Sequence, residues 1–297
     1  MIIMKSKDEL PKAIVDMGYS LQKEIGKGMY STIFKVKNND NKRQDLEDKQ
    51  LVCKWIDVES APKMWKQKCM KLELKVLKRV LHPFIVRTYD LIKTRNSVFI
   101  FMDYCPNGSV YQELHKQAKP FAESLAKRWF SNILGALAYC HSKGIAHRDI
   151  KLDNFLLNED MDALLTDFSF ATLAKTNKGE LMKETMCGHP AYMAPEVFAD
   201  TRFGPYDAKA ADMYSMGVCL FEMLNFDKPF AVSTDAYNNQ RAHVQRQRNR
   251  EYRFHSKVGK RLSPPVIQLV DQLLDPNPNT RIRSDETLIH SGIVVYQ

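Results

Sequence analysis

Apolar and polar residues alternate along residues 19–25 (YSLQKEI) and again along 31–36 (STIFKV), with Gly26 and Gly28 between the two runs. Alternation with period two around a glycine turn predicts an antiparallel hairpin. Residues 38–50 (NNDNKRQDLEDKQ) hold seven charged side chains and Leu46 as the one large apolar residue, the pattern of a solvated loop. Residues 51–58 (LVCKWIDV) read as a third strand, and Ser60, Ala61 and Pro62 suit a helix start. Trp65, Cys69, Leu72, Val76, Leu77 and Val80 then recur mainly at spacings of three and four, an apolar stripe on a Lys-rich helix. Two further strands are predicted at 85–92 and 97–104, ending at Cys105-Pro106-Asn107-Gly108. Beyond Gly108 the period becomes helical, over 121–143 and over 208–225; the second is almost wholly apolar after Asp212, as a central buried helix would be. The change at 103–108 predicts a small sheet-rich unit followed by a larger helical one, an α+β arrangement without internal repeats.

Composition narrows the class. At 297 residues, with 44% apolar and 27% charged residues, 12 Gly and 13 Pro, the chain has the make-up of a globular protein and not of a collagen-like or disordered one. Cysteines 53, 69, 105, 140, 187 and 219 form no CxxC pair, which excludes a zinc knuckle and a thioredoxin-type motif and leaves reduced thiols as the expectation. The leading residues MIIMKSKDEL reach charges too soon for a secretory signal, Ile2 excludes myristoylation, and no run approaches the roughly 18 apolar residues of a membrane span. A cytoplasmic location, or a nuclear one, is expected, with no membrane partner.

The charge balance is 44 Lys and Arg against 35 Asp and Glu, a net +9. Much of it falls in two runs, 54–79 and 241–261. Tyr252, Phe254 and Gly259 interrupt the second run, which argues against an independent basic helix for nucleic acid or calmodulin and favours a solvated face.

The candidate chemistry begins at Gly26-Lys27-Gly28 with Ser31. A GxG spacing alone also occurs in dinucleotide folds, but there the glycines open a helix, whereas here period two continues into a strand. A glycine-rich strand-turn-strand lets backbone amides approach phosphate oxygens. Lys54 on the third strand and Glu73 on the stripe face of the following helix are each costly to bury alone and are natural partners. The densest signal is His147-Arg148-Asp149-Ile150-Lys151-Leu152-Asp153-Asn154, followed by Asp167-Phe168-Ser169 and by Ala194-Pro195-Glu196.

Those motifs, in that order, resemble the eukaryotic protein kinase family over residues 19–289. The wording DNFLL, DFSFA, CGHPAYMAPE and DPNPNTRIRSDETLIH is most similar to the testis-specific serine/threonine kinases of the calcium/calmodulin-dependent-kinase-like group. The resemblance implies a bilobal kinase fold: an N-terminal lead at 1–18, an antiparallel-sheet N-lobe with one major helix at 19–103, a hinge at 103–108, a mainly helical C-lobe at 109–290, and a terminal stretch at 291–297. It implies ATP and Mg²⁺ as cofactors, and protein Ser/Thr hydroxyls as acceptors. The loop 25–33, with Ile25, Gly26, Lys27, Gly28, Ser31 and Ile33, would cover the phosphates, and Lys54, held by Glu73, would contact them. Val52, Ile33 and Leu156 would border the adenine with Met102 as gatekeeper, and backbone groups of Asp103 and Cys105 would bond the ring. Asn154 and Asp167 would hold magnesium, Asp149 would accept the hydroxyl proton, and Lys151 would steady the γ-phosphoryl group.

The same resemblance places a regulatory phosphosite at Thr185, with Arg148 as its phosphate partner, a buried ion pair between Glu196 and Arg281, and Asp212 as anchor of the catalytic loop. Asp153 and Glu222 match acidic positions that in basophilic relatives read arginine upstream of the target residue, and a monomer is expected. Three departures stand out: Ser31 for the third loop glycine, Ser169 for the glycine of the Asp-Phe-Gly motif, and His189, a substrate-side position where relatives have Thr or Ser. Ser169 and His189 give the alternative of a weakly active or inactive kinase-fold scaffold.

Overall fold

Alternation at the start of the chain becomes sheet. The computed structural model describes residues 12–28, 30–40, 43–46, 48–61, 70–176, 179–183, 186–198, 205–230, 240–290 and 292–293. A short helix α1 (Lys12–Asp16) precedes strands β1 (Tyr19–Lys27), β2 (Ser31–Asn38) and β3 (Leu51–Asp57); helix α2 (Met70–Leu77) and strands β4 (Thr88–Lys93) and β5 (Ser97–Asp103) follow. The five strands form one antiparallel sheet in the order β1-β2-β3-β5-β4. Register decides the faces, because directly paired residues project to the same side. Ile33 pairs with Lys54, Lys54 with Ile100, and Val52 with Met102, so these share one face. Phe34 pairs with Cys53, and Cys53 with Phe101, on the other.

Each face has its own core. The Phe101 face buries Cys53, Phe99, Leu51 and Val36 with Ile14 of α1 and Tyr19. The Lys54 face packs Ile56, Val98 and Ile100 against Met70 of α2, with Leu74, Leu77 and Met102 beside them. Pro62, expected at the helix start, and Trp65 and Cys69, expected on its apolar stripe, lie outside the described residues. The helix ends at Leu77 and not at Val80; His82-Pro83 follows, and proline cannot continue a helix.

The charged loop departs from its expectation. Leu46, at the end of a 3₁₀ turn, is 6% exposed and belongs to the Phe101-face core. Its neighbour Arg43 pairs with Asp45 at 2.9 Å and with Asp90 of β4 at 2.9 Å, and Tyr19 donates its hydroxyl to the same Asp90. Pairing the charges lets one leucine enter the core and staples the loop to the sheet. Leu46→Ala is expected to lower unfolding free energy by about 2–5 kcal/mol, read from the urea midpoint; a change below about 0.5 kcal/mol would place Leu46 in solvent.

By contact density the chain divides into two units, one through Lys78 plus Val86–Cys105, the other Arg79–Ile85 plus Pro106 onward. Residues 79–85, expected within the sheet-rich part, therefore belong to the helical unit. The reason is local: Leu81 N–H donates to Tyr139 Oη at 3.0 Å, His82 packs on the Tyr139 ring at 5.3 Å, and Leu165 N–H donates to Phe84 O at 2.9 Å.

The helical unit contains α3 (Val110–Gln117), started by a reciprocal Ser109–Gln112 capping box, and α4 (Glu123–Ser142). Short strands β6 (Ile145–Ala146), β7 (Phe155–Leu157), β8 (Ala163–Leu165) and β9 (Thr172–Leu173) pair as β6–β9 and β7–β8. Then come α5 (Pro195–Phe198), α6 (Ala208–Asn225), α7 (Gln240–Arg248), α8 (Ser256–Gly259), α9 (Pro264–Leu273) and α10 (Ser284–Leu288). The apolar α6 is buried along nearly all its length and is capped by Asp207, whose carboxylate accepts from Lys209 and Ala210 N–H. One unit built on an antiparallel sheet and one built mainly of helices make an α+β architecture, as expected. Among the described residues no helix is long and apolar enough to cross a membrane.

Candidate active site

The catalytic-loop motif is held from below by α6. Asp212, 1% exposed, accepts His147 N–H at 2.8 Å and Arg148 N–H at 2.7 Å, and contacts His141 Nε2 at 3.0 Å. Two backbone amides pinned to one buried carboxylate fix the loop entry, where Arg148 takes φ +66. His147 Nε2 donates to Thr166 O at 2.9 Å and its Nδ1 accepts Asp149 N–H at 3.3 Å.

Asp149 is 4% exposed. Its Oδ2 accepts from Lys151 Nζ at 2.8 Å and from Asn154 Nδ2 at 3.1 Å, and Asn154 Nδ2 also donates to Asp149 O at 2.8 Å. This spacing works because residues 152–154 form a 3₁₀ turn that brings Asn154 back over Asp149. Since the Asn154 side-chain nitrogen is spent on Asp149, its side-chain Oδ1 is the atom left for a cation. Thr166 N–H donates to Asn154 O at 3.0 Å, which sets Asp167 one residue away. An amide oxygen and a carboxylate form a hard donor pair that suits magnesium, which keeps waters and phosphate oxygens for its other positions. Among the described residues no cluster of three His, Cys, Asp or Glu offers an all-protein metal cage.

The serine that replaces glycine after Phe168 causes no visible strain. Ser169 lies within the 3₁₀ turn Phe168–Phe170, and the left-handed conformation falls on Asp167, at φ +62. Phe168 is 1% exposed, edge-on to His147 at 4.9 Å.

In the sheet-rich unit, Lys54 Nζ lies 3.2 Å from Glu73 Oε1, and Glu73 is 2% exposed. β3 and α2 thus deliver the expected pair. Gly26 and Lys27 end β1 opposite Ile33 and Thr32, and Gly28 N–H closes the turn on Ser31 O at 2.7 Å. Ile25 is 40% exposed at this edge, and Val52, Ile33 and Met102 lie on the Lys54 face. Asp103 ends β5 with its side chain accepting from Tyr89 Oη at 2.8 Å, and Cys105 is buried. Leu156 sits at the centre of β7 in the helical unit.

Thr185 lies outside the described residues. Its expected partner Arg148 donates Nε to Phe170 O at 2.8 Å. Burial, together with the Arg148 charge, holds the Lys183 ammonium below its usual range. Lys183, whose ammonium feels the Arg148 charge, was missed in the sequence because nothing local couples it to Arg148.

Gly188, at φ +101, is packed so closely that a Cβ there would stand 2.5 Å from Arg148 O. Gly188→Ala is expected to displace the His147–Asn154 loop and cost about 1–3 kcal/mol of stability, read as a drop in melting temperature; an unchanged melt would show that the loop yields freely. His189 Nδ1 accepts Ala191 N–H at 3.3 Å and its ring meets Tyr192 edge-on at 5.5 Å, so the imidazole caps the turn Pro190–Tyr192. Burial and the charges of Lys151 and Lys228 hold its pKa below the usual histidine range. The segment ends as expected: Arg281 donates to Glu196 Oε1 at 2.6 Å and Oε2 at 3.0 Å.

The two acidic positions expected to face substrate differ. Asp153 is exposed. Glu222 is 1% exposed and already engaged by Tyr192 Oη at 2.6 Å and Lys228 Nζ at 2.6 Å, so it does not stand open to a substrate cation. Burial holds its carboxyl above the usual range, against the pull of Lys228. The basic run 241–261 is built into the helical unit: Gln247 Nε2 donates to Met193 O at 2.8 Å, and Tyr252 packs on Phe221 and bonds Asp271.

The model of the protein kinase domain family matches residues 19–292. The chain is 32% identical over 272 residues, 92% of its length, to CBL-interacting serine/threonine-protein kinase 13 of Arabidopsis thaliana, covering 50% of that protein. It is 30% identical over 282 residues to CBL-interacting protein kinase 25 of Oryza sativa, 94% of this chain and 51% of that one. It is 36% identical over 219 residues to CBL-interacting protein kinase 4 of the same species, 73% and 46%. These relatives are CBL-interacting and not testis-specific kinases, which corrects the finer resemblance, and the chain spans about half the length of the curated relatives it matches. With the Lys54–Glu73 pair, the Asp149 loop and the matched family model in agreement, the chain belongs to the protein kinase family.

Proposed function

We propose that this chain is an ATP- and Mg²⁺-dependent serine/threonine protein kinase whose catalytic domain is residues 19–290. The observation that carries the reading is the seating of Asp149: a buried carboxylate held by Lys151 at 2.8 Å and by Asn154 at 3.1 Å. Asp149 would orient a Ser or Thr hydroxyl and take its proton as the hydroxyl oxygen bonds to the γ-phosphorus and the bond to ADP breaks. Lys151, beside it, would balance charge on the transferred group, and Lys54, positioned by Glu73, would bind phosphate oxygens. Asn154 and Asp167 would hold magnesium, which would supply charge neutralisation. Phosphorylation of Thr185 would place a dianion two residues from Lys183 and within the family's reach of Arg148, raising activity.

Free thiols at Cys53, Cys105, Cys140, Cys187 and Cys219 support action in a reducing compartment, the cytoplasm or the nucleus.

The test is Mg²⁺-dependent transfer from labelled ATP to a panel of Ser, Thr and Tyr peptides. Transfer to Ser and Thr only is expected. Transfer by His189→Thr but not by the wild type would establish the scaffold reading, in which the capping imidazole takes the place of a substrate-side hydroxyl.

A further inference from the structure

The chain leaves α6 through an unfavourable turn. Phe226 caps the helix at φ +74, ψ −40, with its N–H on Glu222 O at 2.8 Å. A bulky residue in this γ-turn region is rare, and glycine is the residue that adopts positive φ without cost. The turn sends Lys228, two residues on, back over the last turn of α6.

There the ammonium enters a built site. Lys228 Nζ is 2.6 Å from Glu222 Oε1, 5.1 Å from the Tyr192 ring centroid and 5.6 Å from that of Tyr111. Tyr192 Oη donates to Glu222 Oε2 at 2.6 Å, which fixes the carboxylate plane and the ring together. His115 backs Tyr111 at 4.0 Å, and Phe226 backs His115 at 5.6 Å. One carboxylate and two aromatic faces form a cation receptor. The Glu222 side chain is 1% exposed and that of Lys228 24%, so the lysine is the receptor's solvent-facing cover. A buried carboxylate needs a cation to stay charged, and here the chain supplies its own.

We propose that Lys228 is a specificity-determining residue that fills, from within the chain, a cation receptor made by Glu222, Tyr111 and Tyr192. The wild-type kinase then shows no requirement for a basic side chain near the target Ser or Thr, and loss of Lys228 hands the receptor to an arginine or lysine of the substrate. The inference rests on the kinase reading above and names its substrate class. It also reverses the expectation that Glu222 reads arginine: with Lys228 in place the cage is electrically balanced, and an incoming cation meets an ammonium.

The test scans one arginine through the five positions before the serine of an otherwise neutral peptide. Both kcat/KM and affinity by fluorescence polarisation are read for the wild type, Lys228→Met, Lys228→Gln and Lys228→Arg. Wild type and Lys228→Arg should vary less than about threefold across the scan. Lys228→Met should gain about tenfold at one position. Lys228→Gln keeps a donor for Glu222 without the charge and should show the same gain, which decides the matter if the methionine variant does not fold. A tenfold arginine preference in the wild type, or a flat scan in the folded uncharged variants, overturns the proposal. Peptide binding without phosphate transfer in every variant would sink the kinase reading, while the affinity scan still decides the receptor.

Discussion

Asp149→Asn is expected to lower phosphate transfer by about 10²–10⁴-fold, the worth of a positioned proton acceptor, with little change in cooperative unfolding. The amide matches the carboxylate in shape, so the 3₁₀ turn at 152–154 and the Asp212 anchor below it have no reason to move. What disappears is basicity. An amide cannot take the hydroxyl proton, and it leaves Lys151 without its anionic partner at 2.8 Å. The loss belongs in kcat, with the KM for ATP nearly constant, because the nucleotide's proposed contacts lie on Lys54 and the glycine turn. Single-turnover transfer from labelled ATP, with a thermal melt alongside, reads both quantities. Activity within about threefold of the wild type would remove Asp149 from the mechanism.

The largest expected effect on stability comes from Arg281→Met, at about 3–5 kcal/mol. Arg281 is wholly buried as a side chain and Glu196 is 14% exposed, so removing the guanidinium leaves a carboxylate largely out of water without its cation. Arg281 also donates to Ala210 O at 2.6 Å and Asp275 O at 2.8 Å, and lies 4.9 Å over the Tyr214 ring. One side chain therefore ties α5, α6 and the turn before α10 together. Urea unfolding should show a lower midpoint with an unchanged slope. The double variant Arg281→Met with Glu196→Met should recover part of the loss, since the orphaned charge goes with it. A single-variant loss below about 1 kcal/mol would mean that the pair contributes little beyond packing.

Much of this site is legible in the chain because its chemistry is local. Asp149, Lys151 and Asn154 lie within one turn of backbone, and the motif that names them also brings them into hydrogen-bond contact. The partnership of Lys54 and Glu73 follows from a charge on a strand and a charge on an apolar stripe, each needing the other to be buried. The helix 208–225 follows from its period, its burial from its apolar content, and the structure places it at Ala208–Asn225. Residues 79–85 show where the pattern stops: their apolar content suits either unit, and Tyr139, far along the chain, draws them to the helical one.

What the sequence by itself determined is the protein kinase family, the strands of the sheet-rich part with the helix among them, and the motif residues proposed to bind phosphate and move a proton. Short-range spacing encodes all three, through periods of two and 3.6 and through motifs that close within a few residues. Only the tertiary structure decided that Leu46 belongs to the core, that Lys183 feels the charge of Arg148, that His189 caps a turn, and that Lys228 covers Glu222. Each depends on which distant groups arrive at the same place, and hence on burial and on the pairing of charges in a poorly screened interior. A side chain's spacing along the chain carries no record of the neighbours that will desolvate it.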